Sequence, residues 1–381
     1  MPVNVLIEGW RGINHSYALV NQFQLLALMR RPEVRLFHRD LPFYDPNWNP
    51  ALNASGLRPG DAAKIAALSA PPGDVDIVYR IAFPFRHYGA DSRRIFCFGT
   101  CESQRLEPFG IYRGEECRRT YANDAVEIVT PSRWSAQGFL KAGFRPEAVH
   151  VVPHGIEPSY FYPLSGEERA AIRADLGLPP DAFVFLNAGA MTGNKGIDTL
   201  ILAFAEIRRR YPQAMLLLKD QRNLYSRSSA QGVIAGLRNS VPERLDSTVL
   251  HAIKTNGANF ALADLRLLYG ACDAYVSPYR AEGFNLTPLE AAACGIPIAV
   301  TKGGSTDDYA DPLFALDVAA RTVTADGGTA LEPELDSLIA VMEAMIERRT
   351  PQIDMKEGAA WIAEHFTWDR AAAMLTDLFA R

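Results

Sequence analysis

The chain has 381 residues, 48% of them hydrophobic, and a formal net charge of -5. A chain of this length divides into two domains more readily than it grows one core. The acidic balance argues against bulk attraction to nucleic acid or an anionic bilayer, and no apolar run approaches the ~20 residues of a membrane span.

Basic residues do cluster locally, at Arg30, Arg31, Arg35 and Arg39 and again at 208–210. Such runs read as solvated helix ends. The cysteines are Cys97, Cys101, Cys117, Cys272 and Cys294, an odd number at irregular spacing, which suggests neither a disulfide framework nor a zinc site. The first ten residues, MPVNVLIEGW, carry no basic stretch before their apolar run. They read as a first strand rather than a signal peptide, and a cytoplasmic or peripheral protein is expected.

In chain order, residues 3–8 form an apolar run ending at Gly9, residues 9–15 a loop, and residues 16–30 a helix with Leu19, Phe23, Leu26 and Leu28 at helical spacing. Strands are expected at 34–37, 75–79, 95–98, 126–130 and 149–152. Ser132 is placed to cap a helix running toward Lys141. Residues 40–74, rich in Pro, Asn, Gly and Ala, read as a surface excursion with one short helix. Pro153-His154-Gly155-Ile156 closes this half, and a linker follows through Pro158, Pro163 and Gly166.

A second α/β pattern then begins. A strand at 182–188 leads into Gly189-Ala190-Met191-Thr192-Gly193-Asn194-Lys195-Gly196, followed by a helix at 197–209 and a strand at 214–219. Residues 221–262 mix short helical pieces with polar loop. Helix 265–269, strand 274–277, loop 278–287, helix 288–294, strand 298–300 and a glycine loop at 302–305 come next. The stretch from Glu332 is expected to be mostly helical, with a last amphipathic helix at 368–379. Short β-rich runs separated by helices imply mainly parallel sheets.

The most informative segment is Glu282-Gly283-Phe284-Asn285-Leu286-Thr287-Pro288-Leu289-Glu290. A glycine beside a carboxylate after a strand lets backbone approach a polar ligand. The helix that follows offers free N–H groups and partial positive charge in its first turn, which suit a diphosphate. Leu286 and Thr287 are placed to donate such N–H groups, and Pro288 costs little so near a helix start. Glu290 could accept hydrogen bonds from the two vicinal hydroxyls of a ribose, and Glu282 from the hydroxyls of a sugar. The structural alternative is an ordinary strand–loop–helix with Glu290 solvated or capping.

The Glu282-x7-Glu290 spacing resembles the carboxylate pair of the retaining glycosyltransferases of family 4, also called glycosyl transferases group 1. Cys272-Asp273-Ala274-Tyr275-Val276-Ser277-Pro278 before the loop, Ala291-Ala292-Ala293-Cys294-Gly295-Ile296-Pro297 after it, and Gly303-Gly304 resemble the same family. The likeness is specific over 264–305 and much less so in the N-terminal half. It implies an α/β fold of the GT-B type, two Rossmann-like domains facing across a cleft. The expected division is an acceptor-binding domain at 1–160, a nucleotide-sugar-binding domain at 161–360, and a C-terminal helix at 361–381 crossing back to the first domain.

The resemblance also implies roles. Glu282 would hold the transferred sugar and Glu290 the nucleotide ribose, while Gly283, Phe284, Asn285, Leu286 and Thr287 would line sugar and diphosphate beside Gly189. Lys195, before Gly196, matches the family's lysine. A compact cation there can neutralise charge on a departing diphosphate. The arginine the family often carries after the first glycine is here Ala190, so Lys219, Arg222 or Arg227 is the expected substitute.

In the first domain, Gly12 and His15 would approach diphosphate or acceptor. Glu102 stands where the family often has a histidine, either holding a reacting or neighbouring hydroxyl or standing as a carboxylate at a helix N-terminus, where the dipole favours it. His154 would contact ligand or fix the linker. The implied reaction is metal-independent hexosyl transfer, with retention, from a nucleoside diphosphate sugar (UDP- or GDP-linked) to a saccharide or lipid-linked hydroxyl acceptor. No separate cofactor and no nucleic-acid partner are implied, and peripheral contact with a membrane is compatible with it. Ala190 keeps open a nucleotide-sugar-binding protein with weak or no turnover, and an epimerase or phosphorylase shares the fold class. A nicotinamide enzyme is disfavoured because no Gly-x-Gly-x-x-Gly follows either first strand.

Overall fold

A computed structural model describes residues 2–51, 56–85, 94–106, 126–221, 224, 229–325 and 327–381. The chain divides into two compact units: Met1–Glu157 with Asp326–Gly328 and Phe366–Arg381, and Pro158–Ala325 with Thr329–His365.

The first unit runs β1 (Val3–Gly9), α1 (Ser16–Leu28), β2 (Val34–Asp40), α2 (Pro59–Ala66), β3 (Ile77–Ile81), β4 (Arg94–Phe98), β5 (Val126–Thr130), α3 (Arg133–Lys141) and β6 (Val149–Val151). The second begins with α4 (Gly166–Asp175), β7 (Phe183–Ala188), α5 (Ile197–Arg210), β8 (Ala214–Lys219), α6 (Ala230–Ser240), α7 (Ser247–His251) and β9 (Ile253–Asn256). It continues with α8 (Leu262–Ala271), β10 (Ala274–Ser277), α9 (Leu286–Ala293), β11 (Ile298–Thr301), β12 (Ala315–Val318), β13 (Ala320–Ala325), β14 (Gly328–Pro333), α10 (Leu335–Ile346) and α11 (Met355–His365). The last helix, α12 (Trp368–Phe379), returns to the first unit.

Each unit holds a six-stranded sheet, ordered β2-β1-β3-β4-β5-β6 and β12-β11-β10-β7-β8-β9, and every named pairing in them is parallel. Parallel strands must be covered on both faces, so they read as continuous apolar runs. Val5, Leu6 and Ile7 in β1 are fully buried, as are Val184, Phe185 and Leu186 in β7. In the second unit α5 and α10 pack together over the sheet, through residues such as Leu200, Phe204, Leu338 and Met342. There the chain lays β7, β8 and β9 outward in one direction, then returns to place β10 on the other side of β7. The loops after β7 and β10 therefore leave at a topological switch point, where doubly wound sheets bind ligands.

Local chemistry sets several helix starts. Ser132 accepts the Ser135 N–H at 3.0 Å and caps α3 as its sequence position implies. Ser165 and Glu168 form a capping box at α4, so Gly166, expected in the linker, is the first residue of a helix. Two other readings change. The helix expected at 288–294 starts at Leu286, because Asn285 in the left-handed region (φ +67°) turns the chain into it early. The hairpin β13–β14 runs to Pro333, so the helical stretch expected from Glu332 begins at Leu335.

Helix α12 is held in the first unit by ring packing. Trp368 stacks on Phe23 of α1 at 5.6 Å with 7° between planes, and Phe379 lies edge-on to Tyr79 and Phe96. The chain before it runs against residues 155 and 156. Ile156 donates to the Phe366 carbonyl at 2.8 Å, and a Cβ on Gly155 would lie 2.0 Å from the Thr367 carbonyl carbon. Both sides of that contact are backbone. Gly155→Ala should therefore displace the α12 entry and lower the unfolding free energy of the first unit by about 3 kcal/mol or more. Urea titration followed by tryptophan fluorescence reads this, and an unchanged midpoint would contradict the close packing.

Candidate functional site

The second unit's switch point gathers most of the residues that the sequence singles out. The loop after β7 carries a short turn, Gly193–Lys195, and then Gly196 in the left-handed region (φ +66°). A Cβ at Gly196 would lie 1.9 Å from the Pro278 carbonyl oxygen, so only glycine lets this loop close on the segment leaving β10. Two hydrogen bonds lock the approach, one backbone and one from a side chain: Arg280 N–H donates to Asn194 O at 2.7 Å, and Asn194 Nδ2 donates to Ala281 O at 3.0 Å.

The Arg280 side chain completes the clamp. Its guanidinium binds both Asp198 oxygens at 2.7 and 3.0 Å, Thr199 Oγ1 at 2.9 Å and Gly193 O at 3.0 Å. Asp198 beside Arg280 raises the guanidinium's already high pKa further, so it is a fixed charge.

On this frame Lys195 Nζ donates to Glu282 Oε1. Glu282 is 5% exposed, and a buried carboxylate needs a partner of this kind. The loop then enters α9. Asn285 Nδ2 donates to Ser277 Oγ at 2.9 Å, and Tyr309 donates its hydroxyl to Asn285 O at 2.6 Å. Leu286 and Thr287 are half-buried and sit in the first turn, where N–H groups have no intrahelical acceptor. The Tyr275 hydroxyl lies 2.9 Å from Ala188 O and 2.8 Å from Thr287 Oγ1, which joins the start of the Gly189 loop to the start of α9. Gly283 is buried in the same loop, while Phe284 packs against Tyr309 at 5.1 Å and belongs to the core.

Glu290 lies one turn into α9, 5% exposed, with Oε2 accepting from the Tyr269 hydroxyl at 2.7 Å. Burial raises its pKa to about 7, and the Tyr269 hydrogen bond opposes that rise. The two acids thus stand in different surroundings, Glu282 against a cation and Glu290 against a phenol.

Lys219, the expected stand-in for the arginine missing at Ala190, ends β8 beside the same loop, with Gly189 N–H donating to Lys219 O at 3.0 Å. It is buried, its Nζ donates to Asp220 O at 2.9 Å, and desolvation lowers its pKa to about 8. Arg222 and Arg227 lie outside the described residues, as does Cys117.

The remaining expected residues belong to the first unit. Gly12 (φ +82°) donates its N–H to Gln22 Oε1 at 2.9 Å. His15 caps α1, its Nδ1 accepting from Tyr17 N–H at 3.2 Å; it packs against Trp10 and Trp48, and burial lowers its pKa to about 4. Glu102 sits exposed in a turn after β4, and its carbonyl accepts from Trp134 Nε1 at 2.7 Å. No helix begins there among the described residues, which corrects the alternative of a carboxylate at a helix N-terminus. His154 is buried between Phe98 and Trp368, and burial lowers its pKa to about 3. Tyr269, Tyr275 and Arg280 were not expected from the sequence. Tyr269 is 21 positions from the acid it serves, so no local spacing marks it.

The architecture is an α/β fold of the GT-B type with two Rossmann-like units. The Anabaena protein HepE, solved in complex with UDP and glucose, superposes with a TM-score of 0.68 at 17% identity over 99% of both chains. The model of the family described as glycosyl transferases group 1 matches residues 168–316, the stretch containing every switch-point residue above. The D-inositol 3-phosphate glycosyltransferase of Stackebrandtia nassauensis is 31% identical over 81% of this chain and 68% of its own length. The chain belongs to the glycosyl transferases group 1 family. It spans about half the length of the curated relatives that it first matches; for the D-inositol 3-phosphate glycosyltransferase of Kineococcus radiotolerans the match is 29% identical over 63% of this chain and 53% of that protein.

The Glu290 environment has a consequence for stability. With an ordinary pKa of 4.5 when unfolded and about 7 when folded, Glu290 binds more protons in the folded state between those limits. Its contribution is complete below about pH 4.5 and is lost as pH rises through about 7, on the order of 3 kcal/mol in all. Thermal unfolding of wild type against Glu290→Gln should show the wild-type melting temperature falling relative to the variant between pH 5 and pH 8. Parallel profiles would contradict the burial of this acid.

Proposed function

We propose that this protein is a retaining glycosyltransferase that moves a hexosyl group from a nucleoside diphosphate sugar to a hydroxyl acceptor in glycan or glycolipid synthesis. The observation that carries the reading is the meeting of Lys195 and Glu282 at the switch point, on the N-terminal side of α9. The UDP and glucose bound by the Anabaena structure support the donor class.

In this reading Glu290 accepts hydrogen bonds from the ribose hydroxyls, losing its proton as it does so, and Glu282 accepts from the hydroxyls of the transferred sugar. The first-turn N–H groups of Leu286 and Thr287 take the diphosphate, with Gly189 and Gly283 allowing close backbone approach. As the anomeric carbon–oxygen bond breaks, its electron pair passes to the diphosphate. Lys195 turns from Glu282 toward that growing charge, with Lys219 at the end of β8 as a further cation. The acceptor oxygen attacks from the face the diphosphate leaves, and its proton passes to a diphosphate oxygen. Charge neutralisation is assigned to Lys195 and backbone dipoles, and no metal is given a role.

The first unit, with Gly12, His15 and Glu102, is assigned the saccharide or lipid-linked acceptor, and the protein is placed in the cytoplasm. No helix among the described residues is long and apolar enough to cross a membrane. Ala190 favours one second reading, a nucleotide-sugar-binding protein of the same fold with weak turnover.

Glu290→Ala should weaken UDP or GDP binding by roughly 1.5–3 kcal/mol, the cost of charge-assisted bonds to a buried ribose. Calorimetric titration checks this, and unchanged affinity would remove the ribose assignment. Lys195→Ala should lower kcat roughly 100-fold or more with a smaller change in donor affinity. Release of nucleoside diphosphate from a panel of UDP- and GDP-sugars separates the two readings: binding without turnover on any acceptor would favour the second.

A further inference from the structure

Helix α8 delivers a phenol to the second acid of the switch point. Tyr269 lies in its last turn and is fully buried. Its ring packs against Phe161 at 6.2 Å and Tyr275 at 6.0 Å. A Cβ on the next residue, Gly270, would lie 2.4 Å from the Leu164 side chain, so glycine lets the end of α8 pack down there. Held in this way, the hydroxyl donates its one proton to Glu290 Oε2 at 2.7 Å. Among the described residues no donor reaches Oε1, and that oxygen is not sealed from solvent. Glu290 therefore has one oxygen tied to the protein and one left for a ligand.

The groups around this acid bring no unpaired cation to it. It faces the phenols of Tyr269 on α8, Tyr275 on β10 and Tyr309 after β11, and the thiol of Cys294 just past its own helix. The Glu290 charge favours the neutral form of all four. Arg266 and Lys195, whose charges reach Cys294 and Tyr275, are paired with Glu168 and Glu282. Strand β11 carries no titratable side chain. Helix α11 buries Gly358 and Ile362 and exposes Lys356, Glu357 and Glu364, while His365 bonds the Trp361 carbonyl. With Oε2 accepting from Tyr269, the proton that burial favours on this acid belongs to Oε1. Once ionised, that oxygen can accept hydroxyls.

We propose that Tyr269 is a positioning residue for nucleoside recognition: by holding Oε2 it fixes the Glu290 carboxylate with Oε1 presented to the ribose hydroxyls. The inference rests on the donor reading for the ribose. It rests on the 2.7 Å bond, the burial of both partners and the open Oε1 for the part played by the phenol. Removing the hydroxyl has two effects. The carboxylate is free to turn, and it ionises at higher pH, because the bond from Tyr269 favours its charged form.

The test is calorimetric titration of the full chain with the tighter-binding of UDP and GDP and with its 2′,3′-dideoxy form, between pH 5.5 and pH 9. Wild type, Tyr269→Phe, Glu290→Gln and the double variant are compared. Both nucleotides carry the same diphosphate, so the ratio of their affinities reports the ribose contact alone. In wild type this ratio should rise with pH through about 7. Tyr269→Phe should lower it about fivefold at pH 7 and move its rise to higher pH. Glu290→Gln should make it flat, and the double variant should match Glu290→Gln. An unchanged ratio and rise in Tyr269→Phe, or equal weakening of both nucleotides, would overturn the proposal while leaving the donor reading intact. 3-Fluorotyrosine placed at 269 keeps the ring and is a stronger donor, so it should move the rise to lower pH even where Tyr269→Phe does not fold. An unmoved rise there also overturns the proposal. Failure of both nucleoside diphosphates to bind, or a Glu290→Gln ratio like that of wild type, would instead reject the donor reading and the inference with it.

Discussion

The contact between the Gly196 backbone and the Pro278 carbonyl governs the second unit's site. A side chain at 196 would hold the loop after β7 away from the segment after β10. With glycine there, Asn194 can exchange backbone and side-chain hydrogen bonds with residues 280 and 281, and Lys195 reaches Glu282. Arg280 then fixes the loop through Asp198 and Thr199. The ion pair is therefore an outcome of backbone closeness first and of charge second, since a buried pair gains little unless its geometry is held.

Two carboxylates on one short stretch meet different conditions because the helix rotates between them. Glu282 is in the loop facing a cation, while Glu290 faces the tyrosine of α8 and is desolvated toward a neutral form near pH 7. One acid is paired with a cation and the other holds a tyrosine hydroxyl, and the proposed donor reading gives them different roles on that ground. The same parallel-sheet logic operates in both units: strands with apolar residues on both faces fill the interior, and chemistry is left to the loops at one end.

The strands were legible where apolar runs are short and bounded. β5, β8 and β10 stand where residue pattern puts them, and Ser132 marks a helix start by its own side-chain chemistry. Strands β13 and β14 were missed because Arg321, Thr322 and Thr324 interrupt the apolar pattern in a two-stranded ribbon that is partly solvated. The start of α9 was misjudged by two residues because a proline at 288 looks like a first helical position, whereas Asn285 in the left-handed region sets the start. Glu102 was read beside a helix that does not begin among the described residues.

By itself the sequence determined the two α/β halves, the loop–helix segment with its acids eight residues apart, and the lysine before a glycine, since these depend on local spacing and residue type. Tertiary structure decided which of them meet. The order of β7 and β10 in the sheet brings positions 195 and 282 into contact, and the packing of α8 against α9 delivers Tyr269 to Glu290. Contacts across 21 and 87 positions leave no trace in spacing, because they are set by how strands are ordered and helices packed, not by the chain's local period.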